Sequence, residues 1–389
     1  MKQMALRMSR LGTETAFRVL SKAQSLESKG IKVVHLEIGE PDFRTPDNIN
    51  QAACKAINDG FTHYSNSQGI IPLRNQIAKY VEKTREVSID PARVIVTPGA
   101  KPFIFFTMLA LLEEGDEAIY PNPGFPIYES MINYSGAKAV PIPLREELDF
   151  RLDINELKSL ITPRTKLIIL NSPENPTGGV LEESDVRVIA ELAREHDIYV
   201  LSDEVYEYMS YGGKPFSIAS LPGMLDRTIL MNGFSKTYAM TGWRAGYAVV
   251  PQPLVDPIVG LIVNSVSCTA TFIQHACIEA LVGPQESIGI MVAEFEKRRE
   301  IMVQGLNSIP GVSCLYPRGA FYAFPNIKNL GKSSEYIADY LLNEAGVACL
   351  SGTDFGKFGE GYLRLSYANS QENLREAIRR MKISLAELK

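Results

Sequence analysis

Between residues 93 and 236 one pattern repeats five times: a short apolar run ends in a polar or glycine-rich turn. Val94-Ile-Val-Thr97 leads into Pro98-Gly-Ala-Lys101, and Glu117-Ala-Ile-Tyr120 into Pro121-Asn-Pro-Gly-Phe125. Leu167-Ile-Ile-Leu170 leads into Asn171-Ser-Pro-Glu-Asn175-Pro-Thr-Gly178, and Tyr199-Val-Leu201 into Ser202-Asp-Glu-Val-Tyr206. Thr228-Ile-Leu-Met231 leads into Asn232-Gly-Phe-Ser-Lys236. Helix-like segments separate the runs. Runs without polar alternation belong to strands covered on both faces, which predicts an α/β fold around a mostly parallel sheet. Such sheets bind ligands outside the carboxyl ends of their strands, where the polar residues of all five turns fall. A sixth run, Ala245-Gly-Tyr-Ala-Val-Val250, follows too closely for a parallel crossover, which needs a dozen or more residues. It is expected to run antiparallel to its predecessor.

The chain is long enough, at 389 residues, to bury a large core and to form two domains. Its net charge of −5 argues against nucleic acid as the main partner. The apolar stretch 102–112 is too short for a membrane span of roughly 20 residues, and the first residues lack the apolar core of a signal peptide. Five scattered cysteines, never spaced as CxxC, and four dispersed histidines fit a reducing, cytoplasmic setting with no metal site.

Lys236 stands among small and apolar residues: Gly233, Ala239, Gly242, Ala245 and Gly246. Desolvation favours the neutral amine, a nucleophile towards carbonyl carbon. Arg244 offers a planar fork of donors suited to a phosphate. Gly233-Phe-Ser235-Lys236, with Ala239-Met-Thr-Gly-Trp-Arg244-Ala-Gly246, resembles the lysine signature of the class I and II aminotransferases. These are fold-type-I enzymes that use pyridoxal phosphate. The resemblance runs from Gly39 to Arg364. It implies that Lys236 holds the cofactor as an imine and that Arg244 and Ser235 lie at its phosphate.

Other segments carry the same template in order. Asn171-Ser-Pro-Glu-Asn175-Pro-Thr-Gly178 and Asp203-Glu-Val-Tyr206 resemble the family's cofactor-ring motifs. There Asp203 would pair with a protonated pyridine nitrogen, which keeps the ring an electron sink. Asn175 and Tyr206 would donate to the phenolate oxygen, and Phe125 would stack on the ring. Gly99, Ala100 and Lys101 open a helix whose amides and dipole suit a phosphate. Gly39-Glu-Pro-Asp-Phe43 resembles the turn that meets the substrate carboxylate. Arg364 in Tyr362-Leu-Arg-Leu-Ser-Tyr367 matches the arginine that grips that carboxylate with two parallel hydrogen bonds. Tyr64 lies in a segment resembling the loop that reaches the phosphate of a neighbouring subunit, which implies a homodimer with shared sites.

There are departures from the template. Gly233 stands where the family often has a phosphate-binding serine, and Leu350-Ser-Gly-Thr-Asp-Phe-Gly356 lacks the usual proline-glycine. No second arginine is evident for a side-chain carboxylate. Glu14, Thr15 and Ala16 align with the segment that closes over the substrate side chain. There Glu14 would favour a basic or polar substrate, or would be a solvated helix residue.

A helix is expected within 11–29, stopped by Gly30, followed by a short strand at 33–38. Strands are expected near 312–316, 320–324 and 361–367, and helices at 292–303, at 333–345 and near the C-terminus. The resemblance implies a seven-stranded sheet in a large cofactor-binding domain, residues 46–288, and a smaller α+β domain from 1–45 and 289–389. The reading is an aminotransferase that moves an amino group from an L-amino acid to a 2-oxo acid by a ping-pong route. A lyase or β-eliminating enzyme on the same fold is the first alternative. A non-catalytic cofactor-binding regulator is a weaker one, because such proteins carry a DNA-binding segment and the residues before Gly39 are not basic enough to be expected to form one.

Overall fold

A computed structural model describes residues 3–388. In chain order its strands are β1 Val34–His35, β2 Val94–Thr97, β3 Glu117–Asn122, β4 Lys138–Pro143, β5 Thr165–Asn171 and β6 Tyr199–Asp203. They continue with β7 Thr228–Gly233, β8 Gly246–Val249, β9 Tyr322–Ala323, β10 Val347–Ala348, β11 Leu350–Ser351 and β12 Leu363–Ser366. Seven of them form the main sheet in the order β2-β8-β7-β6-β5-β3-β4. β8 runs antiparallel to both neighbours and every other pairing is parallel, as the short link after Lys236 required.

The unbroken apolar runs have a direct cause in the layers. Ile95, Leu167, Ile169, Leu201, Ile229 and Met231 face one core with Phe103, Ile104, Tyr128 and Ile258. Their sequence neighbours Val94, Val96, Leu230, Tyr247 and Val249 face a second core with Leu73, Ile77, Ala276 and Cys277. Farther along the sheet Ile168, Leu170 and Val200 face Val186, Ile189 and Ala193. Alternate residues therefore point to opposite faces, and both faces are dry. The apolar runs did not reveal β4. It carries Pro141 and Pro143 and closes the sheet edge, where a strand tolerates proline.

The two chain ends meet in a second assembly. β1 pairs with β10, and β11-β12-β9 form a small antiparallel sheet. Helices Ala16–Glu27, Ser334–Tyr340 and Gln371–Ala386 belong to it. The helix within 11–29 spans Ala16–Glu27, and Gly30 takes a left-handed φ of 86° just beyond it. The strand expected at 312–316 does not form; a single bridge joins Ser313 to Asn326. The segment 333–345 is an α-helix only to Tyr340 and then widens into a π turn, Leu341–Ala345. The expected division after residue 288 falls inside the continuous helix Glu286–Asn307. That helix links the two assemblies, with Ile288 packed beside the main sheet and Phe295, Met302 and Leu306 in the core of the second assembly.

Candidate active site

The carboxyl ends of β2, β3, β5, β6 and β7 converge on a cavity of about 800 Å³. Its wall includes Gly39, Ala100, Lys101, Phe125, Asn175, Asp203, Tyr206, Ser235, Lys236, Arg244 and Arg364. Residues spread over more than 300 positions are thus neighbours, most of them because they sit where a strand of the main sheet stops. β5 and β6 pair Asn171 opposite Asp203. Asn171 Nδ2 donates to the Asp203 carbonyl at 3.1 Å, and its Oδ1 accepts from the Asn175 amide at 3.0 Å.

Asp203 is buried. Tyr128 Oη donates to its Oδ2 at 2.6 Å and the Val205 amide reaches Oδ1 at 3.3 Å. Burial raises its pKa from 3.8 to about 6, a rise that these hydrogen bonds oppose but do not cancel. The loop after Asp203 is held from below. Buried Arg85 pairs with Glu204 at 2.5 Å and Glu207 at 2.6 Å.

Lys236 Nζ donates to the Gly39 carbonyl at 2.5 Å and lies 5.7 and 5.6 Å from the Tyr206 and Phe321 ring centres. Burial lowers its pKa to about 8, with the cations Arg364 and Arg244 adding to the effect. At neutral pH an appreciable fraction of this amine is therefore unprotonated, as a nucleophile or base requires.

Arg244 has a left-handed φ of 55°. Gly99 makes room for its guanidinium: a Cβ there would stand 2.3 Å from Arg244 Nη2. Beside them the helix Lys101–Leu111 begins, so its first amides and the Arg244 guanidinium form an anion-binding pole. Arg364 is buried, its Nε lacks a hydrogen-bond partner, and its guanidinium lies 4.6 Å from the Tyr322 ring centre. One nitrogen donates to the Glu37 carbonyl and another approaches Asn175 Oδ1 at 3.4 Å.

Two of the expected residues have surroundings that the sequence did not show. The Lys101 ammonium is paired with Glu14 and sits 5.4 Å from the Phe125 ring centre. Its charge is thereby matched by a carboxylate, whereas among the described residues none pairs with Arg244, which donates to the Thr241 carbonyl at 2.8 Å. Tyr64 is 89% exposed and is not part of the cavity wall of its own chain.

Sequence reading missed Tyr128 and Tyr322. Tyr128 lies three residues after Phe125 on the next helix and reads as an apolar core residue. Tyr322 Oη bonds Tyr206 Oη at 2.7 Å, and β9 is too short to show a pattern. Among the described residues no group of three or more metal-ligating side chains occurs, and no single helix is long and apolar enough to cross a membrane.

Residues 31–381 match the family described as aminotransferase class I and II. Aromatic-amino-acid aminotransferase 2 of Thermococcus litoralis is 42% identical over 376 residues, covering 96% of this chain and 95% of its own. The probable aspartate/prephenate aminotransferase of Aquifex aeolicus is 40% identical over 395 residues, covering all of both chains. The solved aspartate aminotransferase of Rhizobium meliloti superposes with a TM-score of 0.95 at 34% identity, over 100% of each chain. Similarity of this extent in sequence and fold leaves one conclusion: the chain belongs to the class I and II aminotransferases and is a pyridoxal phosphate-dependent enzyme that transfers an amino group between amino acids and 2-oxo acids.

Proposed function

We propose that Lys236 is the catalytic amine, that Asp203 and Arg244 hold opposite ends of the cofactor, and that Arg364 holds the amino acid. The observation that carries this reading is the half-buried Lys236 amine, lowered to about 8, in one cavity with the buried guanidinium of Arg364 and the buried carboxylate of Asp203.

The cavity fits the cofactor at each end. Asp203 is a buried carboxylate without a cation in contact, an expensive arrangement that a protonated ring nitrogen relieves. The pole formed by Arg244, Ser235 and the amides of Gly99, Ala100 and Lys101 suits the phosphate dianion. Phe125 supplies a flat face, and Asn175 and Tyr206 supply donors for the ring's oxygen. Bound pyridoxal phosphate supplies an aldehyde that amines capture and a ring that draws electrons from the substrate α-carbon.

The chain's own residues do the rest. Arg364 binds the α-carboxylate, and the Gly39 turn and Asn175 border it. Lys236, neutral at Nζ, removes the proton from the α-carbon. Asp203 stays ionised beside its cationic partner, and Tyr128 keeps its carboxylate oriented.

The enzyme is further proposed to work as a homodimer in which Tyr64 enters the neighbouring site, supported by the exposure of that ring on its own chain. The five cysteines are free, which supports a reducing cytoplasmic setting.

The test is to give the loaded enzyme one amino acid and no acceptor. One equivalent of 2-oxo acid per site and no ammonia is expected, and adding a second 2-oxo acid should then give parallel double-reciprocal plots. Ammonia released in step with continued oxo-acid formation would mark a lyase.

A further inference from the structure

The helix Ala16–Glu27 lines the same cavity. Phe17, Leu20, Gln24 and Glu27 share one face at helical spacing, and all four line the cavity. Little apolar surface holds this helix down. Its own cluster consists of Ala23, Val33, Leu342 and Ala348, with Val19 and Leu26 packed at the side.

A polar clamp supplements that cluster. His35, on β1, stands between two carboxylates. Its Nδ1 lies 2.7 Å from Glu37 Oε1 and its Nε2 lies 3.2 Å from Glu27 Oε1. Glu27 ends the helix, and Glu37 is fully buried with its second oxygen unpartnered. Ionised carboxylates only accept hydrogen bonds. A neutral imidazole donates through one nitrogen, whereas an imidazolium donates through both. Between two ionised carboxylates, only the imidazolium satisfies both contacts.

The far side of the clamp is catalytic ground. The Glu37 carbonyl accepts from Arg364 and the Gly39 carbonyl from Lys236. We propose, on the aminotransferase reading above, that His35 is a positioning residue. As an imidazolium bridging Glu27 and Glu37 it docks the helix Ala16–Glu27 over the site and so sets the affinity for the amino acid.

Other elements around His35 contribute no competing base. Ala348 of β10 is its partner across the strand pair, and beyond it the buried Cys349 thiol is pushed up to about 12 by burial. Asn369 donates to the His35 carbonyl. Arg380, from the C-terminal helix, donates to the Lys32 carbonyl. Lys22, on the helix itself, pairs with Asp339.

Partial burial pulls the imidazole down, but hydrogen bonds and charge from Glu37 and then Glu27 outweigh it, leaving the pKa above 6.5. A base with a raised folded-state pKa stabilises fully below its unfolded value of 6.5 and loses that contribution as pH rises through the raised value. The clamp therefore loosens towards alkaline pH.

Hydrogen–deuterium exchange on the loaded enzyme reads this directly. Exchange of residues 16–27 is compared with that of the helix Glu286–Asn307 at each pH, for wild type, His35→Gln and Glu27→Gln. Wild type should lose protection at 16–27 as pH rises above 6.5, in step with the titration of His35 followed by NMR on ¹³C-labelled histidine. KM for L-phenylalanine or L-aspartate should rise through the same step by several-fold to roughly tenfold, with kcat changing much less. In Glu27→Gln the step should move to lower pH with the His35 titration. In His35→Gln it should vanish. A wild-type step that persists in His35→Gln, or protection at 16–27 that ignores the His35 titration, overturns the proposal. The exchange readout needs no turnover, so failure of the clamp and failure of the catalytic reading are separately visible.

Discussion

At the scale of single residues, the site holds two buried charges, Asp203 and Arg364, that a ligand would complete. Arg364 is the clearest case, a buried guanidinium with one nitrogen unpartnered. Arg364→Ala should lower kcat/KM for amino acids and 2-oxo acids by roughly 2–5 kcal/mol of transition-state binding, while leaving the affinity for pyridoxal phosphate within a few-fold. Steady-state kinetics beside a spectroscopic cofactor titration separates the two effects. Asp203 makes the complementary prediction. Its pKa is raised from 3.8 to about 6, so in the cofactor-free protein the buried carboxyl stabilises below 3.8 and loses that contribution as pH rises through about 6. The difference is worth roughly 3 kcal/mol at neutral pH. Cofactor-free Asp203→Asn should therefore unfold at a higher denaturant concentration than wild type at pH 7, with the gap closing towards pH 4. With cofactor bound the order should reverse, because the amide cannot pair with a cationic ring. Urea titrations at the two pH values, with and without cofactor, check both signs.

At the scale of elements, much of the site was legible because each strand announces its own end. Asp203, Asn175 and Lys236 follow apolar runs too unbroken to be surface, so their expected placement at the carboxyl ends of the strands came from periodicity alone. Less legible were contacts made by residues that look ordinary. Tyr128 is one aromatic in an apolar helix, and nothing local says that its hydroxyl reaches Asp203. Lys101 shows the same limit. Its place at a helix start was readable, but its pairing with Glu14, 87 positions away, was not. β4 escaped because its prolines argue against a strand until the strand is known to be an edge. Gly39 shows how closely these elements approach: a Cβ there would meet Tyr322 Oη at 2.2 Å. Gly39→Ala should raise KM for the amino acid by about tenfold or more, since a clash of this kind costs about 1–3 kcal/mol. Adding Tyr322→Phe removes the clashing oxygen, leaving the nearest ring carbon at 3.0 Å, and should recover part of the loss. No recovery in the double variant would mean that Gly39 matters for another reason.

At the scale of the whole molecule, two cores are joined through one long helix, and the cavity collects residues from both. The proposed completion of the site by a second copy rests on Tyr64, and complementation tests that. Lys236→Ala and Tyr64→Asp, each inactive alone, should regain activity when mixed under conditions that exchange subunits. If Tyr64 acts across the interface, a hybrid dimer holds one intact site and one doubly defective site, and recovers up to half the wild-type activity. A mixture shown to contain hybrids and still inactive rules out the shared site. Above all these stands the assignment of Lys236 as the amine that engages the cofactor. Borohydride reduction of the loaded enzyme followed by peptide mass analysis tests it most directly. The account predicts a pyridoxyl group on Lys236 and no label in Lys236→Ala; a label on Lys101 or Lys214 would contradict it.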